Sequence, residues 1–404
     1  MADGQGVIVT GAGLVLPTGV GLPAADPVFA GRSAVRHLNG TVDLAGAIGA
    51  PVSGFVPPAG TEGHDRAVQM AAAAADEAWH GARLDAVRPA SDRVAVLVSL
   101  SKGGVFALAR WAEEGGAALP QIARADPAAA GRLLAGRFGL TGPVVTPVTA
   151  CASGGHALAW AAGLIRRGTV DAALVGAAEA SLHPLVLGGY RRMGVLAEPG
   201  DDPAAAVRPF SATRRGFAVG EGAGVLVLES SASAARRGVR PLAHIAGWAA
   251  GCHAAGLTDV EVGGETLGRL IRDALARAAV PPEAVDYVHA HGTATRANDL
   301  AEARAIHAAL GRAAEGVSVS STKGSHGHLL GAAAAVETVL TVLAIGRSLV
   351  PPTVNLTDPD PAIGLDCTPL RARARRLRQA VKIAAGFGGQ MVAIVLSAPR
   401  GEDA

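Results

Sequence analysis

Apolar segments of strand length alternate with alanine-rich segments of helix length along this chain, and no other feature constrains its fold as strongly. Arg93–Leu100 (RVAVLVSL) and Gly224–Glu229 (GVLVLE) are apolar at nearly every position, which is typical of strands buried on both faces of a sheet. Arg66–Trp79 and Glu265–Ala278 have the length and composition of helices. Because doubly buried strands need helices on both faces, the sequence predicts an α/β protein.

The two parts of the chain, residues 1–240 and 241–404, repeat this rhythm, which suggests a duplicated core. No low-complexity linker separates them, so we expect two domains that pack into one body. Further strands are predicted at Gly6–Thr10, Val144–Ala150, Val170–Ala177, Leu242–Trp248, Val285–Ala290, Val317–Ser320, Val381–Ala385 and Met391–Ser397. Further helices are predicted at Ala128–Phe138, Ala157–Arg167, Leu300–Leu310 and His328–Arg347. After Thr10 the glycines of GAG predict a turn, and Leu16 stands where a dinucleotide-binding motif would need glycine.

Composition excludes several classes of partner. The 404 residues are 50% hydrophobic and 17% charged, with a net charge of +2. The sequence has no run of basic residues of the kind that contacts a phosphate backbone, so nucleic acid is not expected as a partner. The N-terminus has no basic region or cleavage site of a signal peptide, and no uninterrupted apolar run spans a membrane. The three cysteines, Cys151, Cys252 and Cys367, fit reduced thiols in a cytoplasmic protein.

Cys151 is the candidate nucleophile, because it stands where a predicted apolar strand ends and an alanine-rich helix begins. The small residues of CASGG leave room for a substrate. At a helix N-terminus the unpaired N–H groups and the helix dipole favour the thiolate, so we expect the thiol pKa to be lowered from about 8.5. A buried structural cysteine is the alternative. Cys252 and Cys367 lack this setting and are interpreted as structural.

Two short segments, HAHGTATRAND (residues 289–299) and STKGSHGHLLGAAAAVE (residues 321–337), hold four of the 12 histidines as His-x-His pairs. Such pairs could form a zinc cluster, or they could donate hydrogen bonds in support of a nucleophile elsewhere. No matching carboxylate or Cys-x-x-Cys set accompanies them, and a zinc cluster would leave Cys151 unexplained. We therefore favour the donors and expect no metal.

Taken together, these segments resemble the β-ketoacyl-acyl carrier protein synthases. VTACASGGHALAWAAGLIRRGTVDAALVGAAEA resembles the nucleophile segment, and RPFSATRRGFAVGEGAGVLVLE, HAHGTATRAND, STKGSHGHLLGAAAAVE, PPTVNLTDPDP and GFGG follow in that family's order and spacing. The resemblance covers essentially the whole chain and is strongest to the elongating Cys-His-His synthases of discrete type II systems, for fatty acids or polyketides. It implies a thiolase-like fold, with two similar βα halves packed as α-β-α-β-α layers.

The resemblance also implies a reaction, the decarboxylative Claisen condensation of an acyl group on Cys151 with malonyl-acyl carrier protein. In the family pattern His291 and His328 donate hydrogen bonds to the enolate that decarboxylation leaves. His289 and His326 fall where the family usually has other residues, and they are interpreted as structural. Both substrates arrive on the phosphopantetheine arm of acyl carrier protein, so no permanently bound cofactor is expected.

Further site residues are carried over from the family pattern in the same way. Lys323 and Glu337 are implied to orient His328. The implied oxyanion hole consists of the backbone N–H groups of Cys151 and Phe387. Thr293 and Thr295 match the hydroxyls that bind phosphopantetheine. The family is dimeric, so the implied partners are acyl carrier protein and either a second copy or a ketosynthase-like chain length factor, without membrane contact.

The sequence departs from the family at three places. Gln390-Met391 replaces Thr-Asn after GFGG, and Lys382-Ile383-Ala384-Ala385 replaces a more polar run near which some members hold a monovalent cation, which weakens the expectation of such an ion here. Lys102 stands where an apolar residue usually lines the acyl pocket near the dimer interface. A lysine there needs a counter-charge, from a neighbouring subunit, or a short or polar pocket that keeps water near the amine.

Two other functions remain open on sequence alone. A thiolase or other acyltransferase of the same fold would use a second catalytic cysteine in its C-terminal part, and GFGG has none. A non-catalytic chain-length-factor-like partner subunit normally lacks the nucleophile, and Cys151 argues against it. Thiol labelling distinguishes these possibilities, because an inert Cys151 favours the non-catalytic subunit.

Overall fold

A computed structural model describes residues 6–116 and 123–399. Its strands are β1 Val7–Leu16, β2 Gly19–Val20, β3 Arg36–His37, β4 Ile48–Ala50, β5 Val94–Leu100, β6 Ala172–Glu179, β7 Val219–Gly220, β8 Gly222–Ser230, β9 Ala243–Cys252, β10 Tyr287–His289, β11 Ser318–Ser320, β12 Leu349–Val350, β13 Arg373–Ala374, β14 Gln379–Ala385 and β15 Gln390–Ser397. Its α-helices are α1 Asp26–Phe29, α2 Arg66–Gly81, α3 Val105–Glu113, α4 Ala129–Arg137, α5 Ser153–Arg166, α6 Pro184–Arg192, α7 Ser231–Arg237, α8 Glu265–Ala278, α9 Arg296–Leu310, α10 Lys323–His326 and α11 Ala333–Arg347.

The main sheet consists of two sets of strands with one pattern of pairing. Its order is β11-β10-β14-β15-β9-β1-β8-β6-β5. From β1 outward the pairs through β8, β6 and β5 are antiparallel, antiparallel and parallel, and the same sequence of pairs runs from β9 through β15, β14 and β10. Among the described residues, strand pairing joins the two sets where Ile8 and Val9 pair with His244 and Ala243. The repeated pairing agrees with a duplicated core.

The helices form three layers around these strands. α5 and α11 lie in the centre, where their alanines share one hydrophobic cluster with Leu226 of β8 and Val392 of β15. α2 and α4 cover the outer face of the first strand set, and α8 and α9 cover that of the second. The α-β-α-β-α arrangement of two similar halves is therefore confirmed. The domain boundary at residue 240 stays a prediction, and it falls between α7 and β9.

The predicted glycine turn after Thr10 is wrong, because β1 continues through Gly11 and Gly13 to Leu16. A Cβ atom on Gly11 would lie 2.1 Å from Ala78 O, and one on Gly13 would lie 2.0 Å from Ala74 O. The two glycines therefore allow α2 to pack directly against the strand backbone, a role that a search for turns does not detect.

Two predicted elements next to the candidate residues also differ. Val144–Ala150 is not a strand, since only Val144 forms a bridge, with Val96, and the segment ends in the 3-10 turn Ala150–Ala152. Pro147 within it has no N–H to donate to a neighbouring strand. The helix predicted from His328 begins only at Ala333, after the 3-10 turn Leu330–Ala332. Both Cys151 and His328 consequently lie in irregular backbone just before a central helix.

The segment Leu330–Arg347 is long and apolar enough to cross a membrane by length and composition alone, but 83% of it is buried inside the protein. A helix that is apolar on all sides is also typical of the core of a large domain. The packing of α11 between the two strand sets accounts for its composition.

Candidate active site

Cys151 is held by a tight turn at the start of α5. The turn includes Ala150, whose φ of 49° is uncommon for a residue other than glycine. Ser153 Oγ closes it by accepting a hydrogen bond from Thr149 N at 2.9 Å and donating one to Ala150 O at 2.7 Å. The thiol therefore lies at the N-terminal end of α5, as predicted, although a turn rather than a strand leads into it.

Cys151 shares a cavity of about 180 Å³ with His291, His328 and Phe387. The backbone before Phe387 lies directly against the nucleophile, because a Cβ atom on Gly386 would be 3.0 Å from Cys151 N. The Phe387 N–H is directed at the Cys151 thiol. The cavity thus brings together the predicted nucleophile, both predicted histidines and the two predicted oxyanion donors.

The pKa of Cys151 departs from the sequence-based expectation. Burial raises the pKa of this thiol to about 11, although the positive charges of Lys102 and Lys323 and the Phe387 N–H act in the opposite direction. Glu179 adds a further increase. The predicted lowering is therefore wrong for the free protein, in which Cys151 is a neutral thiol, because desolvation outweighs the favourable charges and dipoles around it.

His328 is oriented as a neutral hydrogen-bond donor. Its backbone is fixed by Ala218 O, which accepts from His328 N at 2.7 Å, and by Gly220 N, which donates to His328 O at 3.0 Å. Leu330 N donates to His328 Nδ1 at 3.3 Å, so the ring proton is on Nε2. Burial and the charge of Lys323 hold the pKa of His328 well below its usual range.

His291 lies beside His328, with ring centroids 5.3 Å apart and the rings nearly perpendicular. Burial and the charge of Lys323 likewise hold its pKa well below the usual range. Its backbone is anchored by Glu302, whose carboxylate accepts from His291 N and, at 2.7 Å, from Gly292 N. Both imidazoles are therefore neutral, as donors to a developing oxyanion should be.

A buried ionic cluster, consisting of Lys323, Glu337 and Lys382, lies behind His291. Lys323 Nζ donates to Glu337 Oε1 and to His291 O, and Lys382 Nζ is 2.7 Å from Glu337 Oε2. All three side chains are at most 1% exposed. Burial raises the pKa of Glu337, but the two lysines outweigh it and hold that pKa well below its usual range. The cluster contacts the main chain of His291 and acts on His328 through charge.

The other two histidines belong to a separate chain of hydrogen bonds. His289 lies 2.9 Å from Thr341 Oγ1 and 3.1 Å from Thr322 Oγ1, and His326 lies 2.8 Å from Thr322 Oγ1 and from Gly327 O. Both rings are buried. Within residues 6–116 and 123–399, no group of three or more His, Cys, Asp or Glu side chains has the placement that a metal ion needs.

Lys102 finds its counter-charge within the same chain. Its Nζ lies 3.5 Å from Glu179 Oε2 and 3.0 Å from Ser101 Oγ. Glu179 is buried and also accepts from Ser101 Oγ at 2.5 Å, Gly331 N at 3.1 Å and Ser181 Oγ. The side chain of Lys102 remains 28% exposed. A carboxylate of the same chain was not among the two expected arrangements, and Lys102 is adjacent to, rather than among, the residues that line the Cys151 cavity.

The remaining predicted residues lie at the cavity or beside it. Thr293 and Thr295 line it, with their hydroxyl oxygens 2.9 Å apart. Met391 also lines it. Cys367 is buried, and Cys252 is exposed, with its sulfur donating to Gly388 O at 3.2 Å. Both of these cysteines therefore lie outside the described cavity lining.

Glu302, Asp299 and Glu179 were missed by the sequence analysis. Asp299 is buried in α9 and accepts from Phe210 N at 2.9 Å, as Glu302 does from the backbone at His291. A signal was present, since acidic residues on the otherwise apolar faces of α9 and at the end of β6 are unusual and need buried partners. Lys382 was noticed only as a departure from the family pattern.

Comparison with known proteins shows which family this chain belongs to. The family model described as "Beta-ketoacyl synthase, N-terminal domain" matches residues 5–234, and that described as "Beta-ketoacyl synthase, C-terminal domain" matches residues 242–357. A relative from Streptomyces cyaneus, a putative polyketide beta-ketoacyl synthase 1, is 38% identical and aligns over 98% of either chain.

Solved structures match over the same length. A ketosynthase bound to a hexaketide, in complex with its type II polyketide acyl carrier protein, has a TM-score of 0.91 and 32% identity, over 98% of this chain and 100% of that one. The ishigamide ketosynthase/chain length factor has a TM-score of 0.87 and 31% identity, over 98% and 100%. The similarity therefore extends over both halves of the chain.

Proposed function

We infer the roles of individual residues from the premise that this chain belongs to the β-ketoacyl synthase family. It is a ketosynthase, an acyltransferase whose reaction is the decarboxylative Claisen condensation of a type II polyketide or fatty acid pathway. The observation that carries the assignment of roles is the convergence of Cys151, His291, His328 and the Phe387 N–H on one cavity.

In the first half-reaction, the Cys151 sulfur attacks the carbonyl carbon of an acyl thioester. The thiol gives up its proton, and the carrier thiol leaves with a proton, so charge balances. The tetrahedral oxyanion is stabilised by the N–H groups of Cys151 and Phe387. Since burial raises the pKa of Cys151 to about 11, proton loss accompanies the attack rather than preceding it.

In the second half-reaction, the malonyl thioester loses carbon dioxide and leaves an enolate. Neutral His291 and His328 donate to the enolate oxygen as its charge develops. The enolate carbon then bonds to the acyl carbon, the carbon–sulfur bond to Cys151 breaks, and the thiolate takes up one proton. Lys323 and Glu337 are positioning residues, because Lys323, which is held by Glu337, donates to His291 O, and its charge lowers the pKa of both histidines.

The substrates and partners proposed for this chain follow from that reaction. Thr293 and Thr295 offer adjacent hydroxyls at the cavity to the phosphopantetheine arm of an acyl carrier protein. No permanently bound cofactor takes part in either step. We propose a dimer, with either a second copy or a chain length factor as partner, and a location in the cytoplasm.

Lys102 is proposed to influence the choice of acyl chain. The Lys102–Glu179 pair and two serine hydroxyls put polar groups near the nucleophile, and Lys102 itself stands where the family usually has an apolar side chain. Such a boundary favours short or oxygenated acyl groups. Lys102→Ile should shift the product profile toward longer or more reduced chains while leaving Cys151 reactive. An unchanged profile together with unchanged dimer stability contradicts this role.

Intact-protein mass spectrometry tests the proposed roles. With acyl carrier protein present, an acyl adduct should form on Cys151 and be absent in Cys151→Ala, whereas the matched variants Cys252→Ala and Cys367→Ala should load normally. His291→Ala and His328→Ala should load the acyl group but lose malonyl decarboxylation by about 100- to 1000-fold. His289→Ala should lose much less activity. An adduct that persists in Cys151→Ala overturns the mechanism.

A further inference from the structure

Lys382 is a buried charged residue beside the active site to which the proposed mechanism gives no role. It lies on β14, in register with His289 of β10, and it is 1% exposed. Burying an ammonium group is expensive unless its surroundings replace the lost water. The groups around Nζ therefore indicate what this position is built to hold.

Within the described part of the chain, the polar contacts of Lys382 Nζ are all with oxygen acceptors. Glu337 Oε2 is 2.7 Å away, the carbonyl oxygens of His289 and Ala290 are 3.4 and 3.5 Å away, and the carbonyl oxygen of Ile383 is closer. The contact with Glu337 Oε2 is an ion pair between two buried groups.

A shell of main-chain carbonyls completed by one carboxylate is a cation site. Carbonyl oxygens can replace the hydration shell of a monovalent ion such as potassium. An ammonium group is close to potassium in size and carries the same charge. The oxygen cage formed by Glu337, His289, Ala290 and Ile383 would suit a potassium ion if the lysine side chain were absent.

The monovalent cation that the resemblance associates with this part of some family members does not fit the residues present here. Lys382 Nζ stands in the space between Glu337 and the three carbonyls that such an ion would need. The neighbouring Ile383 and Ala384 have no side-chain oxygen to offer as a ligand. No catalytic step is therefore assigned to an inorganic cation in this chain.

We propose that Lys382 is a built-in cation, whose ammonium group fills a monovalent-cation site between β14, the end of β10 and α11. In this position Lys382 binds one oxygen of Glu337 while Lys323 binds the other. Lys382 thus keeps Lys323 free to hold His291 O, and it is a positioning residue of the active site. The enzyme consequently needs no added monovalent ion for stability.

The inference predicts that removing the side chain exposes a latent potassium site. Lys382→Ser leaves the four oxygen acceptors and opens space for an ion. The matched variant Lys382→Met also removes the charge but fills the space with a side chain of similar length. Thermal unfolding of both variants and the unmodified protein is measured in chloride salts of potassium, rubidium, sodium, lithium and choline at equal ionic strength.

The unmodified protein should unfold at the same temperature in every salt, within about 1 °C. Lys382→Met should lose on the order of 5 °C or more in all salts, because a buried carboxylate has lost one of its two cations. Lys382→Ser should show a similar loss in choline and lithium but recover at least half of it in potassium and rubidium. Equal loss of Lys382→Ser in all salts overturns the inference, as does a specific response of the unmodified protein to potassium. The measurement on the unmodified protein tests the inference even if neither variant folds.

A second readout rests on the proposed function. Malonyl decarboxylation by Lys382→Ser should fall by about tenfold or more in choline and recover in potassium, whereas acyl loading of Cys151 should change less. One outcome would be that potassium restores the unfolding temperature of Lys382→Ser but the unmodified protein does not condense acyl groups. The built-in cation then stands and the proposed function fails. The opposite outcome would be that the unmodified protein condenses acyl groups but potassium changes neither the unfolding temperature nor the malonyl decarboxylation of Lys382→Ser. The proposed function then stands and the built-in cation fails.

Discussion

The active site is flanked by two buried carboxylates, Glu179 from the first half of the chain and Glu337 from the second, and their surroundings differ. Glu179 faces one lysine, Lys102, which is 28% exposed, and it also accepts from two serine hydroxyls and a backbone N–H. Glu337 faces two lysines that are at most 1% exposed. Among the described residues, neither a hydroxyl nor a backbone N–H donates to its carboxylate.

Lys102 and Glu179 therefore form a pair whose lysine can be replaced. In the buried ionic cluster, by contrast, each charge depends on the other two for compensation. If Lys102 were lost, Glu179 would keep neutral donors and access to water through the space that the lysine leaves. If either Lys323 or Lys382 were lost, Glu337 would remain buried with one cation, and if Glu337 were lost, two buried ammonium groups would face each other. Buried charge without compensation is among the largest single destabilising effects known for a folded protein.

The largest expected effect is therefore on stability, from neutralising each carboxylate in turn. Glu337→Gln should lower the free energy of unfolding by about 3–5 kcal/mol, because it leaves two buried lysines unneutralised. Glu179→Gln should cost about 1–3 kcal/mol, since Ser101 Oγ and Gly331 N can still donate to an amide oxygen in place of Oε2 and its single lysine reaches water. Urea unfolding at pH 7.5 measures both. Equal losses in the two variants contradict the distinction between pair and cluster.

For each group a smaller effect is expected in acid, and the four histidines concerned all belong to the second half of the site. The folded-state pKa values of His289, His291 and His328 lie well below the usual range, chiefly through burial, and that of His326 lies at about 4. Below pH 6.5 the unfolded chain binds protons at these rings that the folded protein does not. The free energy of unfolding should therefore fall as pH decreases, by about 1.4 kcal/mol per pH unit for each such histidine.

His289→Gln tests this slope, because glutamine can still bond to Thr341 and Thr322 but does not titrate. Its unfolding free energy, measured by urea between pH 6.5 and 5, should fall less steeply than that of the unmodified protein by about 1.4 kcal/mol per pH unit. The control, His80→Gln, makes the same substitution at an exposed ring outside the active site. An identical slope in His289→Gln would mean that this ring is protonated in the folded state.

The smallest expected effect concerns the thiol between the two carboxylates. Because burial raises the pKa of Cys151 to about 11, iodoacetamide should alkylate the free protein about tenfold faster for each unit of pH between 7 and 10. Glu179 raises this pKa and Lys102 lowers it. Glu179→Gln should therefore react roughly threefold faster at pH 8 and Lys102→Ile roughly threefold slower. Rates that level off below pH 9 would show that the thiolate is already formed.

Local pattern predicted much of the fold and of the site. Continuous apolar strands and alanine-rich helices are properties of neighbouring residues, so they predicted the layers and located most strands of the main sheet, whereas the short strands β2, β3, β4, β7, β12 and β13 were not predicted. The motifs also carried a resemblance to the β-ketoacyl-acyl carrier protein synthases, and that resemblance implied that Cys151, His291, His328 and Phe387 belong together. Local pattern failed at Val144–Ala150 and at the start of α11, where a proline and two strained turns interrupt apolar sequence.

What only the tertiary structure decided are the charges and their partners. Lys102 is 77 residues from Glu179 in the sequence, and Lys382 is 45 residues (382 − 337) from Glu337, so no short window of sequence reveals these contacts. The pKa of Cys151 was misjudged for the same reason. A helix N-terminus is visible in sequence, whereas the desolvation that outweighs it depends on how completely distant segments close around the thiol. The sequence motifs thus indicated which catalytic residues belong together, and tertiary packing determined their charged partners and which of them carry charge.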